Sequence, residues 1–567
     1  MYTATHALLD ALTEAGVAYM FANLGSDHPA FVEAMAQAAA TGVKRPALIT
    51  CPNEMVALSA AHGYAQLTGR PQAVVVHVEC GTQALGGAVH NAAKGRVPVL
   101  IYAGASPFTQ GGELKGSRNE FIHWIQDVFD QRGLVRGYMK YDNELRTGAN
   151  VKQMVFRALQ FARSDPKGPV YLMGAREVME GETPPAATRI VDYAPIAPGA
   201  LPPEGAALIA QALTAARAPL IVTSYLGRDP AAVAALVALC ERVGVGVLES
   251  VPNVVNFPAT HPLYQGNQWN RPAQNEALAG ADYVLVIDSD VPWIPAVSRP
   301  AAGALVHHID VDPIKEQMPL WHIGAAASFR ADAATALGQI AAALPVQDAT
   351  LVAARHAHHA ALHEARAERL AGLEAPGPML TGEYLTARLA AHLDDSAIVL
   401  NEGISHYHTI IDHLRMTRPG SMFTSGGGSL GWHGGAAIGM KLAAPEATVV
   451  ALTGDGSYMF SAPSSVHWMA RRYATPFLTI VYNNGGWKSP KLSTLAVHPD
   501  GYAAAADDIG VSFAPAPDYG GIAAAAGGAL ALTIAKPDEV DAALRQALHA
   551  VRVEKRCVVI DAVLAPL

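Results

Sequence analysis

Two rhythms alternate along the 567-residue chain: short unbroken apolar runs, and longer stretches in which apolar residues recur with helical period. In the first third the runs are 19–23, 47–50, 73–78, 97–103 and 170–173, with helical segments at 30–39, 55–68 and 83–94 between them. Unbroken apolar runs separated by amphipathic helices are the pattern of parallel strands covered on both faces. The middle third repeats it with strands at 220–223, 245–249, 283–287 and 304–310, and the last third with 397–401, 448–453, 477–483 and 558–562. A Pro-rich break at 183–203 separates the first two thirds. A charged, His-rich helix at 353–373, ended by Ala375-Pro376-Gly377-Pro378, separates the last two, and a solvated face accounts for its histidines. The expectation is an α/β protein of three doubly wound parallel-sheet domains, 1–182, 200–345 and 379–567, with a linker helix within 346–378.

Composition narrows the class. Hydrophobic residues make up 51% and charged residues only 16%, against about 25% charged in an average protein. Disorder is excluded, and the sparse charge reflects either alanine richness or surface buried between subunits. A net charge of −9 without a basic block argues against nucleic acid or an anionic membrane as partner. Cys51, Cys80, Cys240 and Cys557 are far apart and form no Cys-x-x-Cys, so neither a disulfide framework nor a zinc site is expected. With no basic leader at Met1-Tyr2-Thr3-Ala4, and with the longest uncharged stretch (520–534) short of the ~20 residues of a span, a soluble cytoplasmic protein is expected.

The most informative segment is Gly454-Asp455-Gly456, followed after 26 residues by Asn483-Asn484-Gly485-Gly486. It reads as strand, tight turn, helix, strand, Asn-rich turn. A glycine turn at the carboxyl end of a parallel strand lets backbone N–H groups approach a phosphate. The Asp and Asn supply hard oxygen ligands that suit Mg²⁺ or Ca²⁺ on a diphosphate. This segment resembles the diphosphate and metal signature of thiamine-diphosphate enzymes, and the whole chain resembles the acetohydroxyacid synthase, benzoylformate decarboxylase and pyruvate decarboxylase group of that superfamily. The domains would then be aminopyrimidine-binding, central nucleotide-binding-like and diphosphate-binding. The resemblance implies that Asp455, the Asn484 side chain and the Gly486 carbonyl hold the metal, with Gly454, Gly456 and Ser457 at the diphosphate.

Further matches carry the same resemblance. Glu54 opens a helix directly after a strand, where the family places the carboxylate that bonds N1′ of the aminopyrimidine and promotes loss of the thiazolium C2 proton. In Ser425-Gly426-Gly427-Gly428-Ser429-Leu430-Gly431, Gly428 matches the carbonyl that accepts the 4′-amino group and Leu430 the apolar wedge beneath the cofactor. Ser405 and His406, in the turn after Asn401-Glu402-Gly403, match a second diphosphate contact. On the substrate side, Ser26 matches a serine of benzoylformate decarboxylase that contacts the substrate carboxylate. His77, 23 residues after Glu54 and followed by Gly81-Thr82, matches that enzyme's proton-transferring histidine.

Departures accompany the matches. The stretch 289–295 has no second histidine, and Glu79 and Cys80 replace small apolar residues. Lys488 and Lys491 offer two cations for an anionic substrate, although lysines beside a turn commonly just face solvent. Trp432 and His433 follow the wedge and are expected to line the same pocket. The central domain's first turn, Thr223 to Asp229, lacks Gly-x-Gly-x-x-Gly, so FAD is not expected, while Arg228 leaves a nucleotide or CoA contact open. The resemblance therefore implies attack on a 2-oxo acid by the cofactor's C2 carbanion, then decarboxylation, or carboligation of the resulting enamine. Alternatives are an acetolactate synthase-like carboligase, a 2-hydroxyacyl-CoA lyase, or a catalytically lapsed homologue acting as a binding or regulatory subunit; the presence of Glu54 and Asp455 speaks against lapse. The family's sites lie between subunits, implying a homodimer at least and commonly a homotetramer.

Overall fold

A computed structural model of the chain describes residues 1–269, 273–321, 323–506 and 508–564. The first sheet holds β1 (Tyr19–Ala22), β2 (Ala47–Thr50), β3 (Gln72–Val76), β4 (Val99–Ala105), β5 (Tyr141–Leu145) and β6 (Val170–Ala175) in the order β2-β1-β3-β4-β6-β5. The second holds β7 (Pro219–Thr223), β8 (Gly246–Ser250), β9 (Tyr264–Gln268), β10 (Tyr283–Ile287), β11 (Leu305–Asp310) and β12 (Ala327–Arg330) in the order β12-β11-β10-β7-β8-β9. The third holds β13 (Ala397–Glu402), β14 (Met422–Phe423), β15 (Thr448–Gly454), β16 (Leu478–Asn483), β17 (Leu530–Ile534) and β18 (Val558–Val563) in the order β14-β13-β15-β16-β18-β17. The pairings within each sheet are parallel. This is the expected three-fold repetition of doubly wound α/β architecture.

Five strands absent from the sequence reading, β5, β9, β12, β14 and β17, all lie at sheet edges. The reason is physical: an edge strand pairs on one side only and needs no continuous apolar run. Thus β5 reads Tyr-Asp-Asn-Glu-Leu, and β12 and β17 alternate between more and less exposed positions. The third strand ends at Val76 rather than 78, leaving His77 to open the helix Val78–Ala84.

The His-rich helix runs from Ala349 to Leu373 and is largely exposed, but its face at Arg355, His359 and Leu370 is buried. The Arg355 guanidinium lies buried against the central domain, donating to the carbonyls of Val243 (2.9 Å), Thr214 (2.9 Å) and Ala216. His359 is buried one turn on, and burial pushes its imidazole down to about 4. His363 pairs with the Tyr264 carbonyl at 2.8 Å, which leaves His358 as the exposed ring. Among the described residues no helix is long and apolar enough to cross a membrane.

The N- and C-terminal domains meet where the helix Glu54–Thr68 packs on the helix Trp432–Ala443. Backbone touches backbone: a Cβ on Gly439 would lie 1.9 Å from the Ala60 carbonyl oxygen, and one on Gly435 would lie 2.7 Å from that of Val56. Both helices must move apart to admit any side chain there. Gly439→Val is expected to lower the midpoint of thermal unfolding, at a cost of about 1–3 kcal/mol; an unchanged midpoint would contradict the close approach.

Candidate active site

The carboxyl ends of β1, β2 and β3 deliver the first half of the site. Glu54 is the first residue of its helix, and Asn53 caps it by accepting the Val56 N–H at 3.1 Å. The Asn23 amide, from the end of β1, donates to Glu54 Oε1 at 2.8 Å. Next to it, Asp27 is buried and binds three groups. His77 Nδ1 lies 2.5 Å from Oδ1, His28 Nδ1 lies 2.8 Å from the same oxygen, and the Val78 N–H donates to Oδ2 at 3.1 Å. Burial alone would raise the Asp27 carboxyl, but the two imidazoles hold it far below the usual carboxylate range. The bond to Asp27 in turn raises the His77 imidazole above its ordinary value against the pull of burial, and the charges of Asp27, Glu79 and Glu54 add to the rise. The other ring nitrogen, Nε2, accepts from the Gln126 amide at 2.5 Å. Val78 follows with φ of 32°, a left-handed conformation that a β-branched residue adopts only under strain. Ser26 is half-buried, its hydroxyl 3.2 Å from His123 Nε2. Glu79 is buried, with Oε1 accepting a hydrogen bond from the Cys80 thiol at 3.1 Å and Oε2 lacking a partner.

The second half sits at the ends of β13, β15 and β16. Asp455 follows β15, and its two oxygens accept the N–H groups of Gly456 (2.7 Å) and Gly486 (2.8 Å). Burial pushes its carboxyl up, although these N–H groups and those of Gly485 and Asn484 oppose the rise. Gly456 has no room for a side chain, because a Cβ would lie 2.3 Å from the Trp487 ring. The Asn484 amide donates to the Ser405 hydroxyl at 3.3 Å, while its carbonyl oxygen Oδ1 is buried without a partner. The Gly486 carbonyl accepts the Lys488 N–H at 3.0 Å, which occupies one of its two lone pairs. Ser457 Oγ accepts the Gly431 N–H at 3.4 Å and so ties the turn at Asp455 to the glycine loop. That loop also docks on the N-terminal domain: Gly428 N–H donates to His90 Nε2 (3.0 Å), and Asn91 brackets Ser429 at 2.9 and 3.0 Å. Gly428 is exposed and Leu430 half-buried.

Over residues 2–134 the chain matches the thiamine pyrophosphate enzyme N-terminal TPP binding domain, over 206–340 the central domain, and over 404–562 the C-terminal TPP binding domain. The chain belongs to the thiamine pyrophosphate enzyme family. It is 28% identical to a benzoylformate decarboxylase of Pseudomonas aeruginosa, covering 88% of this chain and 89% of that one. It is 26% identical to a 2-hydroxyacyl-CoA lyase of Oryza sativa subsp. japonica, covering 97% and 94%. Its fold superposes with a TM-score of 0.78 on a thiamine diphosphate-dependent 4-hydroxybenzoylformate decarboxylase of Rhodococcus jostii RHA1, at 22% identity over 100% of this chain and 99% of that one.

The residues present fit the family's cofactor. Asn484 Oδ1 is an orphaned buried acceptor beside a buried carboxylate, a donor set made for a hard cation. The turn at Gly456 is as tight as the approach of a diphosphate demands. His406 sits differently from Ser405. Its ring is enclosed against Tyr482 at 5.3 Å and beneath Gly382, and burial pushes it down to about 4. Trp432 and His433 do not line a pocket, contrary to expectation; both are buried, because Glu402 takes their backbone N–H groups (3.1 and 2.9 Å) and His433 Nδ1 (2.6 Å). Glu402, Asp27, Asn23 and Gln126 escaped the sequence reading. For Asp27 and Glu402 the available signal was an acid beside a motif residue.

In the central domain the strand order reverses between β7 and β10, where a nucleotide would enter. That crevice is filled from within. The N–H groups of Ser224 and Tyr225 each donate to the Asp288 carbonyl at 3.0 Å, and Ser224 Oγ meets Ser289 Oγ at 2.7 Å. The Tyr225 hydroxyl donates to Asp310 at 2.5 Å, and Arg96 covers the ring at 4.3 Å. Lys315 bridges Asp310 (2.6 Å) and Asp290 (2.9 Å), and Arg96 grips Asp290 with two nitrogens at 2.8 and 2.7 Å. Arg228 is held by Asp288 at 3.4 Å and Asp165 at 3.8 Å.

Asp27→Asn removes the main cause of the raised His77 value. If His77 donates a proton during turnover, activity is lost as pH rises through its pKa. The alkaline limb of the rate profile is therefore expected to move to lower pH in Asp27→Asn, and an unmoved limb would separate His77 from the rate.

Proposed function

We propose that this protein is a thiamine diphosphate- and Mg²⁺-dependent enzyme that decarboxylates a 2-oxo acid without oxidation, then protonates the product carbon or joins it to a second carbonyl. The observation that carries the reading is the pairing of His77: Nδ1 is fixed by buried Asp27, Nε2 meets the Gln126 amide, and the Glu54 charge acts on the ring. A histidine held in one tautomer with a raised pKa is suited to give up a proton at a stated atom.

When bound, the cofactor supplies the electron sink that takes up the electron pair left as CO₂ departs. The chain supplies the rest. Asp455, Asn484 Oδ1 and the Gly486 carbonyl would hold Mg²⁺, with Ca²⁺ a substitute of the same hard-oxygen chemistry. Ser405, Ser457 and the turn Gly454 to Gly456 would seat the diphosphate, and the Gly428 carbonyl and Leu430 would hold the aminopyrimidine end. Asn23 orients Glu54, whose carboxylate would keep the proton at N1′ in a site shielded from water. Ser26 would hydrogen-bond the carboxylate that departs, and the His77 imidazolium, protonated at Nε2 once the Gln126 amide releases that nitrogen, would return a proton to the carbon it leaves. In this reading the central domain carries no FAD; its first turn is tied to Asp288, and Arg228 pairs with Asp288 and Asp165.

The reading includes a homodimer at least. Phe108, Phe121, Ile125 and Phe129 stand 57%, 76%, 71% and fully exposed on the segment that carries Gln126, an apolar patch suited to burial by a second copy.

Glu54→Gln is expected to cut turnover by about a hundredfold or more while calorimetry finds the cofactor still bound; wild-type turnover would overturn the role of Glu54. Asp455→Ala should abolish the Mg²⁺-dependent part of cofactor affinity, and an equal Mg²⁺ response in variant and wild type would overturn the metal assignment.

A further inference from the structure

Arg176 is the first residue after β6, and it is 8% exposed. Among the described residues it has no carboxylate partner within ion-pair distance. Glu177, next in sequence, instead accepts the Thr109 N–H and hydroxyl at 2.8 and 2.6 Å. The Arg176 guanidinium touches only neutral acceptors: Asn119 Oδ1 at 2.9 Å and His123 Nε2 at 3.1 Å, and its own Nε is buried without a partner. Burial and the Arg176 charge both push the His123 imidazole down. The same His123 Nε2 lies 3.2 Å from Ser26 Oγ, which places the unpaired guanidinium one imidazole behind the substrate-side serine. A buried charge without a counter-charge is costly, and leaving its Nε unsatisfied adds to the cost. Such a group is retained where a ligand brings the missing charge.

We propose that Arg176, with Asn119 and His123, forms an anion subsite behind Ser26 that selects a carboxylate retained through the reaction. The inference rests on the 2-oxo acid reading above and names its substrate class. The retained group, rather than the departing one, follows from transition-state logic. An ion pair to the carboxylate that leaves as neutral CO₂ would stabilise the ground state and weaken on the way to the transition state, slowing the step. A neutral hydroxyl, Ser26, suits the departing carboxylate; a full cation suits one that stays. That group is either the distal carboxylate of a dicarboxylic donor or the carboxylate of an oxo acid acceptor.

The test uses the assembled holoenzyme and has two kinetic arms and one binding arm. The donor arm compares kcat/KM for 2-oxoglutarate with that for 2-oxopentanoate, of equal chain length. The acceptor arm supplies 2-oxopentanoate as donor and compares glyoxylate with acetaldehyde as acceptor. The charged compound is expected to lead at least tenfold in one arm, which identifies the source. Arg176→Gln should erase that lead, and Arg176→Lys should restore part of it. In the binding arm, calorimetry with glutarate should show at least tenfold weaker affinity in Arg176→Gln than in wild type, with cofactor affinity equal in both. No charged preference in either arm, or a preference that Arg176→Gln leaves unchanged, overturns the subsite. Equal glutarate affinity in both proteins overturns it whatever the turnover. Failure of every 2-oxo acid to react, with glutarate binding still dependent on Arg176, would instead overturn the reaction reading and leave the anion subsite standing.

Discussion

The backbone contact between the helices Glu54–Thr68 and Trp432–Ala443 is the constraint on which the site depends. One helix begins with the carboxylate proposed to act on the aminopyrimidine, and the other begins immediately after the wedge loop. Glycine at 435 and 439 lets them approach until main chain meets main chain, so neither can rotate without collision. Glu402 then fixes the start of the second helix through Trp432 and His433, and the same Glu402 lies in the turn that presents Ser405. A small displacement at the helix pair would therefore reach the wedge loop and the diphosphate turn together.

Around this contact the chemistry is distributed by a single property of parallel sheets: the carboxyl ends of neighbouring strands open on the same side. In the first sheet the adjacent strands β2, β1 and β3 lead into Glu54, Ser26 and His77; in the third, β13, β15 and β16 lead into Ser405, Asp455 and Asn484. In the first half Asp27 sits between two imidazoles and Glu54 accepts the Asn23 amide, while Glu79 Oε2 and Arg176 Nε are buried without a partner. The second half keeps a buried acceptor without a partner at Asn484 Oδ1 and a carboxyl at Asp455 that burial pushes up.

What the amino-acid sequence reveals follows from the same geometry. The strands in the middle of each sheet are unbroken apolar runs, so the turns that hold Glu54, His77, Asp455 and Asn484 at their ends can be placed from the sequence. Edge strands such as β5 and β17 cannot, because half of each faces away from the sheet. Pairings across long separations are equally hidden. Asp27 meets His77 over 50 residues, Ser26 meets His123 over 97, and nothing local announces either. The expectations for Trp432 and His433 went astray for a related reason: proximity to the wedge in sequence says nothing about a carboxylate thirty residues earlier that draws both inward. The histidines at 359 and 363 look solvated only until the helix that bears them is seen lying on the central domain.

The ion cluster around Tyr225 bears on the evolutionary history open to this protein. Arg96 comes from the N-terminal domain, whereas Tyr225, Asp290, Asp310 and Lys315 belong to the central one, and each charge is balanced by the others. Withdrawing one member strands its partners in the interior, a loss of about 3–5 kcal/mol for a buried pair. A single substitution within the cluster therefore leaves a charge buried without its partner and destabilises the chain. The cluster thus acts as a ratchet: once the crevice was closed by the protein's own charges, several coordinated changes in two domains would be needed to open it again.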